Sequence, residues 1–400
     1  MDYASKLRSW PRWPEYGPEE LVAVTKVLKS NQLFAASEVQ LFEQQFADFQ
    51  ESEFAVGIGN ATQGLHLALA ALDIGKDDEV IVTPCSWISS VSCILMQNAV
   101  PVFSDIESDT LGLDPKLIEA KITPRTKAIM LVHILGYPAR ADEVAEIARN
   151  HSLILVEDAS HAPGATLNGR KMGTFGEVGV FSLQQRKAIS TGDGGVISTN
   201  NKEVAEKIRR LRSFGHDELS YNYRMSEFSA VLGQIGLSRL EAQNLERERC
   251  ANYLASLLKD EDWARVRLES RTNATSVYYA IGLELNISDS KAIELLEQMI
   301  TSGIPARKMF SPLHLHPHFR SKPAPARGLP WRNTTYDGFM KERNYEDLSF
   351  PIAQEYCNGR ILELYVHPPT SFEHLEAFAE FLRITYHNLV EDDADRRVNW

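Results

Sequence analysis

Between residues 37 and 50 the chain reads SEVQLFEQQFADFQ, and Val39, Phe42, Phe46 and Phe49 recur at intervals of three or four. That spacing predicts a helix with one apolar face and Ser37 at its N-cap. The period then changes. Short β-branched runs at 54–59 (FAVGIG), 79–84 (EVIVTP), 100–106 (VPVFSDI), 127–136 (KAIMLVHILG) and 153–160 (LILVEDAS) are each bounded by turn residues. Helix-period segments such as DEVAEIARNH at 142–151 separate them. This alternation predicts βα units and an α/β fold whose mostly parallel sheet is covered by helices on both faces. Segments 178–183 and 195–201 look like a hairpin-like addition, followed by a helix over 202–215 and a long amphipathic stretch over 226–260. Helix-period segments at 290–301 and 371–387 then flank a loop-rich region full of Pro and His. The expected division is a large domain with an N-terminal arm at 1–245 and a smaller α+β domain at 246–400.

Composition narrows the function classes. With 400 residues, 44% hydrophobic and 24% charged, the chain has ample material for a core and no disordered or coiled-coil bias. A formal net charge of -12 without any dense Lys/Arg block argues against a nucleic-acid partner. The first twenty residues carry prolines and charges where a signal peptide needs an apolar stretch, and no run of about 18 apolar residues occurs, so a cytoplasmic protein without a membrane partner is expected. Cys85, Cys93, Cys250 and Cys357 have neither paired nor dense spacing, so they read as reduced core residues.

Three stretches carry chemistry. In VGIGNATQGLHLAL a strand enters a tight turn and a helix begins near Thr62, which offers a phosphate seat, although a plain turn looks the same. The following strand, EVIVTP, lacks the terminal acid that a dinucleotide ribose needs, which argues against a nicotinamide oxidoreductase. Asp158 ends a hydrophobic strand at its carboxyl edge; it is either a helix cap or loop ion pair, or the carboxylate that keeps a pyridine nitrogen protonated. Lys187 lies between a core strand and the glycine cluster Gly192, Gly194 and Gly195, where partial burial can lower an amine's pKa to roughly 7 to 8. Phosphate seat, ring carboxylate and lysine nucleophile are together what pyridoxal 5'-phosphate requires.

In order, GNATQGLHLAL, DEVIVTPCSWISS, VEDASHAPGA, GTFGEVGVFSLQQRKAISTGDGG and YNYRMSEFSAVLGQIGL resemble the DegT/StrS family of sugar and cyclitol aminotransferases. The resemblance runs from about residue 18 to 250 and more faintly to the end. It implies fold type I, a seven-stranded sheet in the large domain, and pyridoxal 5'-phosphate as cofactor. Lys187 matches the family's Schiff-base lysine, Asp158 the carboxylate facing the ring nitrogen, and His161 the Gln or His near the phenolic oxygen. Trp87 matches the aromatic stacked on the ring, while Thr62, with its neighbours Ala61 and Gln63, and Ser182 match the phosphate contacts. Asn222 matches an asparagine that reaches the phosphate of a neighbouring subunit, which implies a homodimer with shared active sites. Arg224 receives no role.

The chain departs from the family pattern at Ala61, Gln63 and Ser220, where Gly, Ala and Gly are common. Retention of Lys187, where the family's deoxygenating dehydratases carry histidine, favours transamination from glutamate or glutamine to a keto-sugar or keto-cyclitol. Gln184, Gln185 and Lys187 resemble the branch acting on inosose-type ketones, whereas FSPLHLHP resembles the nucleotide-sugar branch. Gln185 and His314 are the expected substrate contacts. His314, His316 and His318 have a metal-like spacing, but Pro312 and Pro317 interrupt a regular strand and no metal is expected. The rival readings are a dehydratase or aminohydroxybenzoate-synthase-like enzyme on the same scaffold, and a non-catalytic regulator.

Overall fold

The computed structural model describes residues 3–214, 217–320 and 345–398. Its strands are β1 (Phe54–Ile58), β2 (Glu79–Val82), β3 (Val100–Phe103), β4 (Thr126–Val132), β5 (Ile154–Asp158), β6 (Thr166–Leu167), β7 (Arg170–Lys171), β8 (Val178–Ser182), β9 (Gly195–Thr199), β10 (Ala264–Val266), β11 (Ala274–Thr275), β12 (Ile281–Leu285), β13 (Ala306–Lys308) and β14 (Ile361–Leu364). The helices up to residue 301 are α1 (Tyr3–Arg8), α2 (Pro18–Ser30), α3 (Ser37–Gln50), α4 (Ala61–Ala71), α5 (Ser89–Met96), α6 (Pro115–Ile118), α7 (Ala141–Asn150), α8 (Lys202–Arg212), α9 (Glu227–Leu257) and α10 (Asp289–Thr301). A helix over Phe372–Val398 closes the chain.

Seven strands form one sheet in the order β1-β9-β8-β5-β4-β2-β3. All neighbours from β8 to β3 run parallel, and their near-continuous burial is what helices on both faces impose. The fold type I α/β architecture expected from the sequence is present. The segments 178–183 and 195–201 do pair antiparallel, but they are not a peripheral addition. β9 is inserted between β8 and β1, antiparallel to both. The carboxyl ends of β1, β5 and β8 therefore meet at one rim. A second sheet, β10-β12-β14-β13, is wholly antiparallel, and a small three-stranded sheet has the order β11-β6-β7. α9 runs unbroken across residues 245 and 246 and leads from the first large sheet to the second.

Ser37 does not cap α3. The N-cap position is Ala36, and the buried Glu227 carboxylate from α9 accepts the N–H groups of Ala36, Glu38 and Val39 at 2.7, 2.9 and 3.2 Å. A carboxylate at the positive end of a helix does what the serine hydroxyl was expected to do, and ties α3 to α9 as well. The run 127–136 is shorter than expected as a strand: it ends at Val132 and turns through Leu135 and Gly136, both at positive φ (55° and 92°). A Cβ on Gly136 would lie 2.9 Å from the Tyr279 nitrogen and 3.0 Å from the His161 carbonyl, so glycine is what lets the 277–280 segment come against His161. All four cysteines are free and buried. No helix among the described residues is long and apolar enough to cross a membrane.

Candidate active site

α4 begins directly after the two-residue turn, Gly59 and Asn60, that follows β1. Asn60 is its N-cap and accepts the Gln63 N–H at 3.0 Å, leaving the N–H groups at Ala61 and Thr62 without the i−4 carbonyls that later turns enjoy. Gly195, facing Ser182 across the β8–β9 pair, packs so close that a Cβ there would lie 2.9 Å from the Ala61 nitrogen. Ser182 thus shares the rim with this helix start. Thr62 Oγ1 is 2.6 Å from the Ser89 hydroxyl at the start of α5. Two hydroxyl side chains and the positive end of a helix dipole make a seat for a dianion.

Glu157 and Asp158 are consecutive and buried, and β-strand alternation sends them to opposite faces. Glu157 accepts the N–H groups of Gly173, Phe175 and Gly176 at 2.8, 2.6 and 2.7 Å and lies 3.0 Å from His133 Nε2. Because His133 Nδ1 accepts the Ala139 N–H, its proton is on Nε2 and points at Glu157. Asp158 instead accepts the Ser90 hydroxyl at 2.7 Å, and Ser86 stands 2.7 Å behind Ser90. Since the Ser90 proton is used on Asp158, Ser86 is the donor in the second bond.

Lys187 follows β8 in a loop closed at both ends. Leu183 N–H donates to Gly194, Thr191 N–H to Leu183 and Gln185 N–H to Gly192, each at 2.9 Å. The N-terminal arm adds a strap: the Trp13 indole N–H donates to the Lys187 carbonyl at 2.9 Å, and Trp13 stacks on His367. The Lys187 side chain is half-buried, with Nζ 4.7 Å from the centre of the Tyr279 ring. Burial of its ammonium group pushes its pKa down to about 7; Asp158 and Glu363 oppose that shift and Arg307 adds to it. Tyr279 also stacks on His161, ring centres 4.0 Å apart. Burial, with Lys187 and Arg307 nearby, holds His161 well below its usual range, so the imidazole is neutral. Its Nδ1 accepts the Leu135 N–H at 3.2 Å, so Nε2 carries the proton and is a donor.

Asp158, His161 and Lys187 are thus gathered at the sheet rim beside Ala61, Thr62, Gln63 and Ser182. Trp87 is 57% exposed and meets Phe310 edge to face at 5.8 Å, so it forms an open wall. Gln185 is exposed next to the lysine. Asn222 is exposed and backbone-paired to Ser213. His314 has no exposed surface; its ring packs edge-on against Phe103 and Phe350. The His318 side chain lies outside the described residues, and no cluster of three metal-ligating side chains occurs among those described.

Several members of this cluster carry no sequence signal. Tyr279, Arg307, Glu363 and Tyr365 come from the second sheet and its flanks. Arg307 Nε donates to the buried Glu363 at 2.6 Å, and the Tyr365 hydroxyl donates to the same oxygen at 2.7 Å. Ser90 is on α5, and only the tertiary structure brings its hydroxyl to Asp158, 68 positions away.

These groups fit pyridoxal 5'-phosphate: an anion seat at α4, a buried carboxylate, a neutral donor and an amine poised to lose its proton. The comparisons agree. The profile of the DegT/DnrJ/EryC1/StrS aminotransferase family matches residues 14–349. The chain is 37% identical over 290 residues to GDP-perosamine synthase of Caulobacter vibrioides, covering 70% of this chain and 77% of that one. It is 34% identical over 339 residues to L-glutamine:2-deoxy-scyllo-inosose aminotransferase of Streptomyces kanamyceticus, covering 78% and 79%. Among solved structures, an aminotransferase from Psychrobacter cryohalolentis superposes with a TM-score of 0.84 at 28% identity, over 95% of this chain and 99% of that one. The chain is a pyridoxal 5'-phosphate-dependent aminotransferase, and it belongs to the DegT/DnrJ/EryC1/StrS family.

Proposed function

We propose that this enzyme moves an amino group from glutamate or glutamine to the ketone of a keto-sugar or keto-cyclitol. The observation that carries the reading is the lysine: Lys187 is retained, and it sits where burial brings its pKa to about 7, beside Asp158 and neutral His161. The cofactor, when bound, supplies an aldehyde that accepts amines and a ring that draws electrons from the carbon beside the bound nitrogen. Lys187 can then take a proton from the donor's α-carbon and return it at the cofactor, because at neutral pH it is half neutral and half charged. Asp158, held by Ser90, keeps the ring nitrogen protonated, and His161 offers its Nε2–H to the phenolic oxygen. Ala61, Thr62, Gln63 and Ser182 cradle the phosphate, Trp87 covers one ring face, and Gln185 faces the substrate.

The same reading makes the active form a homodimer in which Asn222 completes the partner's phosphate seat. Its exposure supports this, as do the neighbouring exposed Phe34 and Phe214 on either side of the Arg224 guanidinium, at 5.4 and 4.7 Å. Kinship with a perosamine synthase and with inosose aminotransferases supports the ketone class.

The test is to add glutamate or glutamine to purified enzyme and follow its visible absorption, then to supply scyllo-inosose or a nucleotide-linked 4-keto-6-deoxy sugar. Bleaching by the donor, followed by recovery with one ketone and formation of its amine, is expected. Retained cofactor whose band neither donor bleaches would refute the reading.

A further inference from the structure

Residues 13–16 of the N-terminal arm read WPEY, residues 187–190 of the lysine loop read KAIS, and the fold sets one against the other. The Lys187 N–H is spent inside its own loop, on the Gln184 carbonyl at 2.7 Å. The Lys187 carbonyl takes its hydrogen bond from outside, from the Trp13 indole N–H. Three residues on, the Tyr16 hydroxyl donates to the Ser190 carbonyl at 3.3 Å and lies 3.1 Å from the Ser190 hydroxyl. Between these two points Ala188 and Ile189 are buried, and a Cβ on Gly236 of α9 would lie 2.8 Å from the Ile189 side chain. The limb that carries Lys187 is therefore gripped on its apolar side by α9 and on its carbonyls by the arm.

The indole is itself held in place. Its ring stacks on His367 with centres 4.7 Å apart, and the Arg247 guanidinium stands 5.6 Å from its centre. Arg247 is fully buried and has no carboxylate partner among the described residues. Its Nε donates to His367 Nδ1 at 3.2 Å and its Nη1 to the Asn244 side chain at 2.8 Å, while Nη2 has no acceptor among the described residues. Because Nδ1 accepts, the His367 ring is neutral, so this buried cation is offset by neutral groups and by the electron-rich face of Trp13. Asn244 in turn donates to the Pro163 carbonyl, two residues beyond His161. Farther up the arm, Trp10 is buried edge-on against Phe378 and His374 of the closing helix. Apolar cover alone calls for no indole N–H on the backbone oxygen of Lys187. We propose that Trp13 is a positioning residue: by holding the Lys187 carbonyl it fixes the point from which the lysine side chain reaches the cofactor and the donor's α-carbon. This rests on the reading of Lys187 given above. A lysine amine on its four-carbon stem is placed only as well as its backbone is, and a displacement of about 1 Å at a reacting group can cost on the order of 100-fold in rate.

The experiment uses the cofactor-loaded enzyme with Trp13→Phe, which keeps a ring on His367 but has no N–H, and a chain carrying benzothienylalanine in place of Trp13, whose ring has the shape of indole with sulfur at the N–H. Bleaching of the visible band by glutamate or glutamine is followed in a stopped-flow instrument. In both chains the maximal rate should fall roughly 10-fold while the half-saturating donor concentration stays within about threefold, because the amine is misplaced and the donor's own contacts are intact. A second readout needs no turnover. The pH midpoint of the resting band reports the charge on the lysine nitrogen, and a loosened loop exposes that nitrogen to water, so the midpoint should rise by roughly half a pH unit. Tyr16→Phe removes a single hydroxyl from a half-exposed side chain and should move both readouts the same way by a smaller amount, which keeps the test open if Trp13→Phe does not fold. A benzothienylalanine chain whose maximal rate and midpoint equal the wild type's would overturn the inference and leave the indole a packing group. A higher half-saturating concentration at unchanged maximal rate would also overturn it, assigning the arm to donor binding. Bleaching of Lys187→Ala at the wild-type rate would remove the lysine reading itself; the preceding outcomes remove the Trp13 assignment alone.

Discussion

The ionisation of Lys187 can be measured apart from catalysis. In an unfolded chain a lysine titrates near 10.4, so at pH 7 only about one molecule in 2,500 is neutral. With the pKa brought to about 7, half the molecules are neutral, a gain of roughly a thousandfold in reactive amine. Trace acylation of the cofactor-free protein with acetic anhydride, with the Lys187 peptide quantified by mass spectrometry between pH 5 and 10, reports that fraction. Labelling should level off above an inflection near pH 7, whereas the same peptide in denatured protein should keep rising to the top of the range. The two neighbouring charges must act in opposite directions. Asp158→Asn removes a carboxylate that favours the ammonium and should lower the inflection, whereas Arg307→Met removes a cation that disfavours it and should raise it. An inflection at pH 9 or above in the folded protein would refute the burial argument, and an upward shift in Asp158→Asn would refute the charge argument.

The same titration has a stability counterpart. Because the folded-state pKa of Lys187 lies below its unfolded value, the unfolded chain binds more protons between about pH 7 and pH 10, and the stability of cofactor-free protein should rise with pH across that window. Urea titrations of Lys187→Met should lack that part of the rise, and an unchanged slope would count against it. Ser90→Ala removes the hydroxyl that orients Asp158, so turnover should fall roughly 10-fold while the melting temperature moves by only a few degrees; unchanged turnover would deny Ser90 that role. Glu157→Gln offers an amide to a pocket built from three N–H groups and the His133 Nε2–H, and should destabilise by about 3 kcal/mol in urea. A loss below about 1 kcal/mol would show that those bonds are replaceable.

Residues whose placement follows from one strand and its next turn were legible in the sequence. Asp158, His161 and Lys187 each sit at or just beyond the end of a β-branched run, and parallel strands deliver their carboxyl ends to one rim. Tyr279 and Arg307 were not legible. β13 has three residues, too few for any period, and its distance from Lys187 depends on a turn at Gly136 that lets a separate segment close on His161. The α3 cap was misread for a related reason. Ser37 is a good local cap, but a carboxylate 191 positions from Ala36 supplies three acceptor contacts where a hydroxyl supplies one. The hairpin at 178–201 was legible as a pair, whereas its insertion beside β1 depends on strand order, which adjacent sequence does not encode.

The adjacent carboxylates of β5 have a consequence for how this chain tolerates change. Glu157 secures the 173–176 turn on one side of the sheet and Asp158 faces the cleft on the other, so a single-residue insertion or deletion within Ile154–Asp158 exchanges their sides. The longer acid would then crowd the reacting centre, and the shorter one would fall short of three backbone amides. Length variation among descendants of this sequence is therefore expected to collect in the turns around β5 and to spare the strand, even where individual apolar residues within it are exchanged.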